Sequence, residues 1–98
     1  LARERLVLIL PPDPAYARLA RLAALHFLRQ HGAKGLEARR RARQAESRCK
    51  AALRAARKEA AERGLEFVFR TGAEALLVLE GKGARSPLLV VPHPRHAA

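Results

Sequence analysis

Two short apolar segments constrain this chain most: Arg5–Leu10 near its start, apolar from Leu6 onward, and Leu88–Val91 near its end. A strand that is apolar at every position must be covered on both faces. Two such strands with helical sequence between them therefore predict a parallel sheet in an α/β layer. The stretch 73–91 sharpens the expectation. Ala73–Glu80 reads as a short helix, Gly81 and Gly83 as its release, and Leu88–Val91 as a closing strand before Pro92 and Pro94.

The intervening chain supplies the rest. Pro11-Pro12 stops the first strand, because proline lacks a ladder donor. Asp13 then stands at a helix N-cap with Pro14 at the first helical position. Tyr16, Leu19, Leu22, Ala23, Phe27 and Leu28 give a helix over about 14–31 an apolar stripe, and Gly32 is its C-cap. A second, longer helix is expected over about 36–63, ending at Gly64. Ala38, Ala42, Ala45, Cys49, Ala52 and Ala56 form a heptad-like seam of small residues along it, suited to lying on the domain's own sheet or to pairing with a helix of another chain. Leu65, Phe67 and Phe69 alternate with Glu66, Val68 and Arg70, as in an edge strand buried on one side.

The expected fold is thus a single α/β domain over residues 1–98, with a parallel sheet of about three strands, helices on both faces and the order β-α-α-β-α-β. A chain of 98 residues has a thin core, burying roughly 60–68% of the surface its unfolded form exposes. One cysteine excludes an internal disulfide and a cysteine-based zinc site. No apolar run approaches the ~20 residues needed to cross a bilayer, and no secretory signal opens the chain, so a cytoplasmic location is expected. The absence of an initiating methionine predicts a processed or trimmed product.

The net charge of +11 points to nucleic acid or another anionic surface. A competing cause is compositional. The chain has no Met or Asn and uses sixteen arginines against four lysines, which fits a GC-rich and heat-adapted background.

With these pieces in order, the chain resembles a universal stress protein domain, a doubly wound α/β fold of the adenine-nucleotide α-hydrolase-like group. Two segments carry the likeness. One is Leu6-Val-Leu-Ile-Leu-Pro-Pro-Asp13 with the helix ending Gln30-His-Gly-Ala33, and the other runs from Arg70-Thr-Gly-Ala-Glu-Ala-Leu-Leu77 to Leu88-Leu-Val-Val91. About half of the chain is covered. The family's second and fifth strands have no counterpart, and Pro92-His-Pro-Arg-His96 stands where nucleotide-binding members place a glycine-rich phosphate loop. The resemblance implies a degenerate member that does not bind ATP, with Asp13 alone at the place of a nucleotide-contacting aspartate. Against that role stands the simpler one of helix N-cap.

Candidate chemistry is sparse. His93 and His96 flank Arg95 in a basic tail, 92–98, without the spacing or acidic companions of a metal site. Ser47 and Ser86 lie in no nucleophile context, and Cys49 sits on the alanine seam. No catalytic residue, metal or cofactor is expected. The long helix carries a basic face, with Arg39, Arg40, Arg43, Lys50, Arg54 and Arg57 spread over about 40 Å. That face is either a solvated surface interrupted by Glu37, Glu46, Glu59 and Glu62 or a sequence-independent contact to phosphates. The leading expectation is a non-catalytic, stress-protein-like module acting through self-association as a homodimer, or through protein binding, its short sheet edges open for pairing. The alternative is a nucleic-acid-binding protein using the Arg-rich helix.

Overall fold

The computed structural model describes residues 4–56 and 62–93. Strand β1 (Arg5–Leu10) leads through a single 3₁₀ turn at Pro14–Tyr16 into helices α1 (Ala17–Gln30) and α2 (Gly35–Ala55), followed by β2 (Leu65–Arg70), β3 (Ala75–Gly81) and β4 (Leu89–Pro92). The four strands form one sheet in the order β1-β2-β3-β4, and every neighbouring pair is antiparallel. Both helices pack on one face of it, sharing a single core with the inward residues of all four strands.

The parallel three-stranded sheet with helices on both faces is therefore not what forms, and the order is β-α-α-β-β-β. The cause lies in residues 73–80, expected as a helix and folded as β3. Parallel neighbours need a crossover of about a dozen residues or more. Once Ala75–Gly81 is a strand, only residues 71–74 and 82–88 remain as connections, and these permit hairpins alone. The two helices cross the sheet and return, so β2 starts beside the end of β1, with Leu10 opposite Leu65. The parallel arrangement that the stress-protein resemblance implied is absent.

Local chemistry explains the element ends. Asp13 caps as expected, its Oδ1 accepting the Ala15 N–H at 2.9 Å. The helix expected from 14 to 31 is divided, since Pro14–Tyr16 is 3₁₀ and α1 begins at Ala17. Gly32, at φ +100°, ends that helix in a conformation disfavoured for side chains with a Cβ. Helix α2 stops at Ala55, because Ala56 is extended (φ −64°, ψ 136°); of the rest of the expected helix, residues 57–61 lie outside the described residues and 62–63 are helical. Strand β2 buries Phe67 and Phe69 as its alternation foretold, but it lies between β1 and β3 and not at an edge.

The core is built from small helical residues against large sheet residues. The seam of α2 is buried at Ala38, Ala42, Ala45 and Cys49, with Leu53 beyond, and it packs within the chain on α1. Helix α1 buries Ala17, Ala20, Ala24, Phe27 and Leu28, while Tyr16, Leu19 and Leu22 are exposed. The alanines on both helices let the backbones approach closely, and a leucine between them would hold them apart. From the sheet come Phe67, Phe69, Leu77 and Leu79, all nearly inaccessible. A register irregularity between Ala75 and Leu77 sends Leu76 and Leu77 together into this core and leaves Ala75 with Val78 on the opposite face.

Candidate functional site

The face of the sheet away from the helices has no covering element among the described residues. Val7, Ile9, Val68, Val78 and Val90 run diagonally across it through all four strands. Val7 pairs with Val68, and Val78 pairs with Val90. Val7, Ile9 and Val90 are 48%, 59% and 48% exposed, whereas Val68 and Val78 are buried. Two charged side chains shield the central valines. Arg70 Nε reaches Glu80 Oε1 at 2.7 Å, and this hydrogen bond holds the Glu80 carboxyl below its ordinary pKa, opposed by partial desolvation and helped by the charges of Arg70 and Arg5.

The β1 side of the sheet is the least finished part. Among the described residues β1 has a partner on one side only. Its inward Leu6 and Leu8 are half-buried, although the equivalent positions of β2 and β3 are closed. Alternation thus leaves this strand incompletely covered on both faces.

On the opposite side of the molecule the helices present a basic surface. Its residues do not form one continuous face. Arg40 is engaged by Glu37, with Nε and Nη2 each 2.9 Å from a carboxylate oxygen, and Arg41 reaches the same carboxylate at 3.3 Å. These hydrogen bonds and charges, that of Arg40 foremost, lower the Glu37 pKa. Arg48 turns toward β4 and donates to the Leu88 carbonyl at 3.3 Å. Arg39, Arg43, Lys50 and Arg54 are exposed and form no ion pair with an acid among the described residues. Arg57 lies outside the described residues.

Sequence spacing missed the contribution of α1. Arg18 and Arg21 face the same inter-helix groove as Arg39, Arg43 and Lys50. The only acid lining the groove among the described residues is Glu46, whose Oε1 lies 3.4 Å from Arg21 Nε. Only helix–helix packing brings the two basic sets together, so no motif in either helix alone announces them.

The remaining candidates are occupied structurally. Asp13 is exposed, with its carboxylate committed to the N-cap. His31 stacks on Phe27 at 4.3 Å between centroids, and its Nδ1 lies 2.8 Å from the Phe27 carbonyl oxygen. Cys49 is fully buried, and burial pushes its thiol up to about 12. His93 is exposed beyond β4, while His96 lies outside the described residues. Among the described residues no three His, Cys, Asp or Glu side chains gather as a metal site, and no helix is long and apolar enough to cross a membrane.

No protein-family model matches the chain, and no curated protein or solved structure is similar enough to count as a match.

Proposed function

We propose that this chain is a non-catalytic association module that pairs with a second copy of itself along the β1 edge. The observation that carries the reading is the half-finished burial of β1, with Leu6 and Leu8 half-covered on the core face and Val7 and Ile9 about half exposed on the other. Two β1 strands running antiparallel about a two-fold axis perpendicular to the sheet would satisfy both free edges. That symmetry keeps both copies' helices on one side and both bare faces on the other. It places a neighbouring strand beside the four side chains on each copy without moving any element.

The magnitudes set the strength. Complete burial of one such side chain is worth roughly 1.5–3 kcal/mol, and these four are already partly buried. Association itself costs about 4–15 kcal/mol in lost freedom. Summed over both copies, gain and cost are of similar size, so the dimer is weak and forms at high protein concentration. The absence of an assembled reactive group among the described residues, with Asp13 engaged in capping and Cys49 inaccessible, supports a binding role over a catalytic one.

Sedimentation velocity tests the reading. The protein should sediment as a dimer at high micromolar concentration, and the Val7→Lys/Ile9→Lys variant as a monomer with unchanged circular dichroism. A wild-type monomer throughout that range would refute the pairing.

A further inference from the structure

The groove between α1 and α2 has features that self-association through β1 does not use. Its floor is apolar, formed by Leu22, Leu25 and Ala42, with Arg21, Arg39 and Arg43 around it. Leu22 is 56% exposed. Farther along the groove, Arg18 and Lys50 flank the Arg21–Glu46 contact. The Nε of Arg21 is buried and lacks a hydrogen-bond partner there, because its contact with Glu46 falls short of hydrogen-bond geometry.

We infer that this groove is a docking site for an acidic amphipathic helical segment of another protein. Charge complementarity selects the occupant. Five basic side chains and one acid line the groove, so an acidic segment is attracted and the basic helices of a second copy are repelled from this face. The groove's leucines separate a peptide from a nucleic acid. An amphipathic helix supplies apolar residues for Leu22 and Leu25 and carboxylates for the arginines, whereas a phosphate backbone leaves the leucines without a partner. From Arg39 to Lys50 the wall is about 16 Å long at ~1.5 Å per residue, matching roughly three turns of a partner helix. The alanine seam creates the site, because close helix packing pushes both the leucines and the long basic side chains outward.

The probe is a fluorescein-labelled helical peptide of about sixteen residues, with leucines at i, i+3 and i+7 and glutamates on the flanking positions. Fluorescence anisotropy at low salt should show saturable binding that weakens as salt rises. Arg39→Glu/Arg43→Glu should weaken it about 100-fold, and Leu22→Ser about tenfold. The Val7→Lys/Ile9→Lys variant should bind as wild type, which separates this site from the β1 edge. Amide shift perturbations on the unmodified protein should centre on Leu22, Leu25, Arg39 and Arg43, a readout independent of any variant's folding. The inference fails if a peptide with serines for leucines binds equally well, if the perturbations lie elsewhere, or if duplex DNA displaces the peptide at comparable or lower concentration.

Discussion

Arg70 and Glu80 stand diagonally across the β2–β3 pair, joined at 2.7 Å, and their bond crosses the opposite diagonal formed by Val68 and Val78. The two valines are 8% and 6% exposed on a face that no described element covers. The ion pair thus serves as a polar roof over the middle of an apolar band, leaving Val7 and Ile9 on β1 and Val90 on β4 as its exposed ends. Arginine suits this task because its stem covers apolar surface while the guanidinium stays engaged.

Removing the roof should have a pH signature. Both side chains are 39% exposed, so Glu80→Gln should cost no more than about 1 kcal/mol at neutral pH. Because the folded-state pKa of Glu80 is lowered, its stabilisation is complete above the unfolded carboxylate value and is lost as pH falls through the folded one. Urea melts should therefore show the two proteins differing at about pH 7 and converging below about pH 4. A difference that grows on acidification would contradict this account.

Close helix packing makes a sharper prediction. Ala45 is fully buried at the helix layer, so Ala45→Leu should destabilise by about 1–3 kcal/mol through overpacking. Ser47→Leu, two residues on at an exposed position, should leave the urea midpoint nearly unchanged. Equal effects at the two positions would mean that the seam is not tightly packed.

Gly64 holds the entry to β2 against the end of β1. Its φ is +75°, and a Cβ there would lie 3.0 Å from both Ile9 Cγ2 and the Leu10 carbonyl oxygen. Gly64→Ala should lose more than about 1 kcal/mol in thermal or chemical denaturation, combining backbone strain with a clash. Gly32 offers the comparison: its φ is +100° but nothing lies within 4 Å of its would-be Cβ, so Gly32→Ala should be the milder change.

The Cys49 thiol should be inert in the folded protein. With its pKa near 12 and its side chain inaccessible, a disulfide reagent at mildly alkaline pH should modify it only after denaturant is added. Rapid modification of the folded chain would show that the seam opens readily. Cys49→Ala should cost no more than about 1 kcal/mol, since only one sulfur's volume is lost.

Much of the local structure was legible in the residues themselves. Proline pairs, the Asp13 cap, Gly32, the α2 alanine periodicity and the Phe67/Phe69 alternation each act over a few positions. The β3 error has a specific origin. Its alanine, leucine and glutamate residues favour helix in isolation, and the irregularity at Leu76–Leu77 erases the period of two that would have marked a strand. Helix α1 follows its expected stripe only in its second half: Phe27 and Leu28 face inward, but toward its start close packing turns Ala17, Ala20 and Ala24 inward and leaves Tyr16, Leu19 and Leu22 exposed. The basic residues of α2 were visible in sequence, but their division between the groove, Glu37 and the β4 side was not.

By itself the sequence determined where most elements lie, how several of them end, and that the chain is strongly basic, because those properties depend on local sterics, capping and counting. Tertiary structure alone decided that the strands run antiparallel, that one sheet face has no cover among the described residues, and that Arg18 and Arg21 join Arg39, Arg43 and Lys50. Strand direction follows from connection lengths once every element has chosen its state, and shared surfaces arise only when separate elements pack. One segment misjudged as helix therefore reverses the architecture while leaving the other local assignments almost intact.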